Sequence, residues 1–132
     1  AGWAYNNFPY MGDNLLPPIL LNENLYTVSK LFNDIGFIQF FHRLLATLTL
    51  VYVLITFFQL FKSKLKAIYF LASLVAIIAI SQYILGIIML KLFVPIHLGL
   101  SHQLGSLILL SFLIITKCEI IKKRAINRPS FS

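Results

Sequence analysis

The chain contains little sulfur and few charged side chains. Cys118 is the single cysteine among 132 residues, so this chain alone forms no disulfide, no CxxC metal site and no cysteine-based cofactor attachment. Only 11% of the residues are charged, whereas 59% are hydrophobic and the mean hydropathy is +0.87. A soluble domain of this size cannot bury so much apolar surface, which indicates an integral membrane protein.

Three apolar runs exceed the ~20 residues that a helix needs to cross a bilayer. They are Gly36–Phe61, Ala67–Leu90 and Pro95–Thr116. The chain does not begin with a basic segment and a short apolar run, so we predict no cleaved signal peptide. It does not begin with methionine either, and we therefore expect processing, truncation or a missing upstream part.

The net charge of +7 is unevenly distributed along the chain. Most basic residues lie between the first two runs or after the third: Lys62, Lys64, Lys66, Lys117, Lys122, Lys123, Arg124 and Arg128. Asp13, Glu23 and Asp34 precede the first run. This pattern predicts that residues 1–35 lie outside and that the basic tail, 117–132, lies inside. It indicates topology signals and contacts with anionic lipids, and it argues against nucleic acid.

The outer segment, residues 1–35, carries turn signals followed by a helical pattern. Phe8-Pro9, Gly12-Asp13 and Pro17-Pro18 indicate turns. Farther on, apolar residues recur every three or four positions, and polar residues lie on the opposite helix face. This spacing predicts a short amphipathic helix on the outer surface of the membrane. The apolar positions are Leu25, Val28, Leu31 and Phe32, and the polar ones are Glu23, Thr27 and Lys30. The alternative is a loop that folds only against a partner.

The third run places His102 and Gln103 about two turns inside the membrane. Gly99, Gly105 and Ser106 lie three or four residues from His102 and therefore share its helix face. Small residues leave room for a flat group or for another helix to approach the backbone. An imidazole at such a position suggests an axial ligand to a haem iron. The alternative is a histidine hydrogen-bonded to a neighbouring helix.

The first run carries His42 at a similar depth, with Gln39, Ala46 and Thr49 on the same helix face. Arg43 beside it is too costly to leave unpaired in lipid. It either extends to the lipid headgroups or binds a ligand carboxylate such as a haem propionate. The two roles are compatible, and we favour the second.

Gln82 lies about two and a half turns from the outer end of the second run. An interhelical hydrogen bond is the commoner role of a glutamine in a membrane. The first and third runs enter from the same side, so His42, His102 and Gln82 all reach one depth. This convergence favours a cofactor site to which His42, His102, Arg43, Gln82, Gly99 and Gly105 contribute.

His97 lies five residues before His102, about 140° around the helix, so the two cannot face one metal. We interpret His97 as a histidine at the membrane interface. The alternative is a protonated group near propionates or a redox partner.

Four short segments resemble motifs of one known family in order and spacing. They are the outer pattern Ala1-Gly2, Tyr5-Asn6, Phe8-Pro9, Met11-Gly12 and Pro17; then Gln39 with His42-Arg43; then residues 82–86, which read QxxLG; then Val94-Pro95 followed by His102-Gln103. Across residues 1–116 the chain resembles the second half of heme A synthase.

The resemblance implies a fold, an activity and a cofactor. Members of the family have eight transmembrane helices in two similar four-helix halves, and they oxidise a methyl group of heme O to the formyl group of heme A for cytochrome oxidase. The implied fold here is three transmembrane helices of a four-helix haem-binding bundle, preceded by an outer loop. The implied ligands of the haem b in that half are His42 and His102, and this haem is thought to relay electrons to the substrate haem.

The first four helices of the family have no counterpart in this chain. Their histidine pair, the acidic residue beside the substrate haem and the loop cysteines are also missing. Three helices do not close a four-helix bundle, so we do not expect the chain alone to be catalytically competent. The expected partners are the N-terminal half of the enzyme, membrane lipids and subunits of a respiratory complex.

Two other functions remain open. One is a structural membrane subunit of a respiratory complex that has lost haem, and the other is a b-type electron-transfer subunit. The abundance of Phe, Ile, Asn, Tyr and Lys is typical of an AT-rich gene. We therefore expect the mitochondrial inner membrane, or alternatively a bacterial cytoplasmic membrane, with the tail on the matrix or cytoplasmic side.

Overall fold

The computed structural model describes residues 4–21, 28–61 and 66–126. These residues form helices and no strand. The helices are α1 (Pro18–Leu21), α2 (Val28–Asn33), α3 (Ile35–Phe61), α4 (Lys66–Lys91) and α5 (Ile96–Ile126). The last three are each long and apolar enough to cross a bilayer. The predicted all-α membrane fold is confirmed.

Helix α5 continues well beyond the apolar run that predicted it. It passes through Lys117 to Ile126, and the part able to cross a membrane reaches Lys123. Lysine is a good helix former, and residues 117–126 contain neither proline nor glycine. The backbone hydrogen bonds therefore continue where the apolar run stops, and the first part of the basic tail is helical.

Asp34 fixes the start of α3. Its carboxylate accepts a hydrogen bond from the N–H of Phe37 at 2.6 Å, and its carbonyl accepts one from the N–H of Ile38 at 3.0 Å. A side-chain oxygen in this N-cap position satisfies a backbone donor that has no partner within the helix. The negative charge also faces the positive end of the helix dipole.

A short link, residues 92–95, joins α4 to α5. The N–H of Val94 donates to the carbonyl of Met89 at 2.9 Å, and that of Phe93 donates to Leu90 at 3.3 Å. This pair of bonds is a Schellman motif, with Phe93 at the left-handed position (φ 60°) that usually holds glycine. Pro95 then ends the turn, so α5 returns antiparallel to α4.

Helix α4 lies between α3 and α5 and packs against both, whereas α3 and α5 make no comparable contact within the described residues. In the most apolar stretch of α4, 22% of the residues are buried. The corresponding share is 6% in α3 and 6% in α5. The core is built on small or branched side chains, which let the helices approach closely: Val53, Val75, Ala76 and Ala79. Most large apolar side chains face outward, as expected where lipid or further helices surround a bundle.

The bundle has two ends. The cap end is the one at which α3 begins, α4 ends and α5 begins, and the opposite end is called the lysine end. Residues 4–17 pack on the cap end, where Met11 is buried and Gly12 turns the chain at φ 74°. Pro18 begins α1 rather than ending a turn, because proline is favoured at the first position of a helix. Helix α2 covers part of the predicted amphipathic helix, while Glu23, Leu25 and Thr27 lie outside the described residues.

Candidate functional site

His102 lies on α5 with one edge of its imidazole against the backbone of α4. A Cβ atom added at Gly86 would lie 3.4 Å from its Cε1 and 3.9 Å from its Nε2. The ring is half-buried, and its Nδ1 is buried without a hydrogen-bond partner among the described residues. Nearly all buried polar atoms have such a partner, so this nitrogen is an exception among the described residues.

His42 lies on α3, on the other side of α4, and its side chain is exposed. It lies seven residues into α3, as His102 lies six residues into α5, so both histidines are about two turns from the cap end. The two predicted ligands are therefore at a similar level of the bundle although their helices do not pack together. No cluster of three or more His, Cys, Asp or Glu side chains occurs within the described ranges. A pair of imidazoles suits a haem iron, which takes only its axial ligands from the protein.

Gln82 lies one turn from Gly86 and points at α5. A Cβ atom added at Gly105 would overlap its Nε2 and would lie 2.6 Å from its Cδ. The hydroxyl of Ser106 donates to the carbonyl of His102 at 2.8 Å, and its oxygen lies 3.5 Å from the Oε1 of Gln82. Gly105 thus makes room for the amide of Gln82, in agreement with the interhelical role considered for this residue.

Gly99 and His97 lie nearer the start of α5. The atom that a Cβ at Gly99 would meet is the Sδ of Met89, at 3.9 Å, which is an ordinary packing distance. His97 is exposed in the first turn of the helix. Both residues are on the same helix as His102, whereas Gly86 meets His102 from α4. The contribution of Gly99 to a cofactor site stays a prediction.

Arg43 and Gln39 hold the outer segment on α3. The Nη1 of Arg43 donates to the carbonyls of Asn7 and Tyr10, each at 3.1 Å, and its Nη2 donates to that of Tyr5 at 2.8 Å. Gln39 is 2% exposed, and it donates to the carbonyl of Tyr5 at 2.6 Å and accepts from its N–H at 3.0 Å. The Nε of Arg43 is buried without a partner in the described part of the chain. A carboxylate contact of Arg43 therefore stays a prediction, for which Nε is an available donor.

Phe8 connects this outer segment to α4. Its ring lies 5.9 Å from the guanidinium of Arg43 and 6.4 Å, edge to face, from the ring of Tyr83. The hydroxyl of Tyr83 lies 3.0 Å from that of Thr47 on α3. The contacts of the outer segment thus bridge α3 and α4 at the cap end.

Gly86 is the residue of this site whose role the sequence did not reveal. It was part of the QxxLG pattern, but the glycines assigned to His102 were those on its own helix. The available signal was its position four residues after Gln82, which places both on one face of α4. The residues present fit a group held between two imidazoles: the histidines lie at a similar level on the two helices that flank α4, and the bare backbone of Gly86 lies beside one of the rings.

Comparison with known proteins identifies the relatives of the chain. A family model described as cytochrome oxidase assembly protein matches residues 1–114. Heme A synthase of Pelagibacter ubique is 40% identical over 119 residues, which cover 89% of this chain and 34% of the relative. Heme A synthase of Rickettsia prowazekii is 38% identical over 114 residues, covering 86% and 34%. Heme A synthase COX15 of Mus musculus is 34% identical over 117 residues, covering 84% and 27%.

The chain spans about a third of the length of these relatives. No solved structure matches it significantly. The match covers most of the described residues, including both histidines, all of α3 and α4, and α5 as far as residue 114. The chain therefore belongs to the heme A synthase family of cytochrome oxidase assembly proteins.

Proposed function

We propose that this chain is the haem b-binding C-terminal half of heme A synthase and takes part in the oxidation of heme O to heme A. The observation that carries the proposal is the pair His42 and His102, which lie about two turns from the cap end on the two helices that flank α4. The relatives that match over most of the chain are named heme A synthase. A haem iron bound by two histidines accepts and donates single electrons.

Each residue of the site has a role in this proposal. His42 and His102 would hold the iron, and Gly86 gives His102 room beside α4. Gln82 fills the space at Gly105 and fixes α5 against α4. Arg43 and Gln39 attach the outer segment, and the Nε–H of Arg43 is a donor suited to a propionate carboxylate.

The reaction requires more than this chain. The chain spans a third of its relatives, and a layer of three helices leaves one side of a bundle open. We infer that the N-terminal half, on a separate chain or on residues beyond these, supplies the substrate site. The proposed setting is the mitochondrial inner membrane, with a bacterial cytoplasmic membrane as the alternative and the basic tail on the matrix or cytoplasmic side.

A structural subunit of a respiratory complex is the second candidate. It is favoured by the contacts that Gln82 and Arg43 make within the chain, since neither side chain depends on a ligand. A cell that lacks the chain separates the candidates. Under our proposal it accumulates heme O and lacks heme A, and His97→Ala restores heme A whereas His102→Ala does not. Normal heme A in the deletion strain would refute the proposal and support a structural or electron-transfer subunit.

A further inference from the structure

The contacts between α4 and α5 follow one register, which is centred on the short link between the two helices. Three pairs of residues lie opposite one another across the interface: Met89 and Gly99, Gly86 and His102, and Gln82 and Ser106, whose neighbour Gly105 also meets Gln82. The two members of each pair lie equally far from Val94 along the chain, at five, eight and twelve residues respectively. Val94 is therefore the centre of the hairpin that α4 and α5 form.

The link has a backbone conformation that its residues disfavour. Phe93 and Val94 are both left-handed, with φ 60° and 55°. A β-branched residue such as Val94 is rarely found there, and the following Pro95 restricts its backbone further. Phe93 is 73% exposed, so contacts of its side chain within the described residues do not stabilise the turn. The turn is stabilised by its backbone bonds to Met89 and Leu90 and by the packing of the two helices that it joins.

The length and the shape of this link determine which residue of α5 lies opposite Gly86. If the link were one residue longer, α5 would move by one position relative to α4, which is a rotation of about 100° and a rise of about 1.5 Å. His102 would then leave Gly86, and Ser101 would take its place. Relaxation of Val94 toward the extended backbone that it prefers would also lengthen the link.

We infer that the left-handed turn at Phe93 and Val94 is a positioning element of the histidine site, because it sets the register in which His102 meets Gly86. The turn acts through His102 and not by contact with a cofactor. Its effect on haem rests on the proposed function, whereas its effect on the register does not. The two effects are therefore measured separately.

Disulfide crosslinking between α4 and α5 measures the register without haem. The protein is the full chain in a Cys118→Ser background, with any polypeptide that copurifies. Met89→Cys should crosslink to Gly99→Cys and not to Leu98→Cys. Insertion of one glycine after Val94 should reverse this preference, because each residue of α5 moves by one position. A crosslink that stays at position 99 would overturn the inference, since the link would then absorb the extra residue without moving α5.

Paired proline substitutions test the conformation of the turn at unchanged length. Val94→Pro forbids the positive φ and removes the N–H that donates to the carbonyl of Met89, so the crosslink between positions 89 and 99 should be lost. Ile96→Pro should keep the crosslink, because proline is favoured at the first residue of a helix. Val94→Gly should also keep it, because glycine adopts a positive φ without strain. Native crosslinking in Val94→Pro would overturn the inference.

Haem binding by the same variants tests the functional consequence. Val94→Pro should lower haem affinity by about tenfold or more, as for other residues that orient a metal ligand, while Val94→Gly and Ile96→Pro should retain it. Native haem affinity in a Val94→Pro protein whose crosslink is lost would overturn the positioning role. A wild-type protein that shows the crosslink but binds no haem would refute the proposed function and leave the assignment of the register intact.

Discussion

At the scale of single residues, Gly86 limits what can lie beside His102. The sequence predicted glycines near this histidine, but it placed them on the same helix, at positions 99 and 105. The structure brings Gly86 of α4 against the imidazole, because α5 returns antiparallel after a short link. A helical wheel gives the neighbours on one helix, whereas the register between two helices depends on the link and on packing. This is why the sequence did not predict the contact between Gly86 and His102, while the ligand role of the histidines stays a prediction.

Gly86→Ala should crowd His102 and weaken haem binding. A methyl group 3.4 Å from Cε1 would lie at the short limit of ordinary van der Waals contact, so it would fill the room that the ring has beside α4. We expect a loss of about tenfold or more in haem affinity, as for other residues that orient a metal ligand. The measurement is haem retention during titration of the purified protein.

Gly99→Ala is the matched control for this substitution. Its added methyl group would meet only the flexible Met89 side chain at 3.9 Å, so haem affinity should stay unchanged. A large loss in Gly99→Ala with none in Gly86→Ala would support the sequence-based assignment of Gly99 and contradict the geometry described for Gly86.

At the scale of helices, Gln82 and Gly105 determine how α4 packs on α5. A polar side chain and a glycine occupy complementary positions on the two helices, and the same pair was predicted from sequence to face a cofactor. The sequence identified these residues as special because polar and small residues are unusual in apolar helices. It could not distinguish a cofactor from a neighbouring helix, since both require the same residue types.

Gly105→Ala should displace the side chain of Gln82 from the interface of α4 and α5, because the new methyl group would overlap its amide. Overpacking of this kind costs about 1–3 kcal/mol. Unfolding in a denaturing detergent, followed by helical circular dichroism, measures it. Adding Gln82→Ala should restore most of the stability by removing the overlapped amide, while a Gly105→Ala protein as stable as the wild type would contradict the described packing.

The outer segment depends on Gln39 and Arg43 for its position on α3. Gln39→Ala removes both hydrogen bonds to the backbone of Tyr5. The carbonyl of Tyr5 keeps its bond from Arg43, whereas its N–H is left without a partner, which costs about 1–3 kcal/mol. Amide hydrogen exchange in residues 4–17 should therefore become faster. Gln59→Ala, at an exposed position near the other end of α3, should leave it unchanged. Equal protection in both variants would show that other contacts hold the segment.

At the scale of the whole molecule, three apolar helices were predictable because each run is longer than a bilayer requires. The extension of α5 to Ile126 was not, since hydropathy ends at Lys117 while helix propensity continues. The order of the helices, with α4 between α3 and α5, follows from the short link and from the small residues of α4. The resulting layer leaves α3 and α5 open, in a chain that spans a third of its relatives.

The charge distribution predicts that the two ends of the bundle lie on opposite sides of the membrane. In a Cys118→Ser background, Leu15→Cys and Ile126→Cys introduce thiols at positions of similar exposure, 61% and 65%. A membrane-impermeant maleimide applied to the outer face of sealed vesicles should label position 15 directly and position 126 only after permeabilisation. The reverse pattern would invert the proposed topology.

The central claim is that His42 of α3 and His102 of α5 together bind one haem. The most direct test is a reduced-minus-oxidised visible spectrum, with haem extraction, of the complex that contains this chain and of its His42→Ala, His102→Ala and His97→Ala variants. The account predicts a b-type spectrum with two histidine ligands that is lost in the first two variants and kept in His97→Ala. A wild-type complex without haem assignable to this chain, or a spectrum that survives His42→Ala, would contradict it.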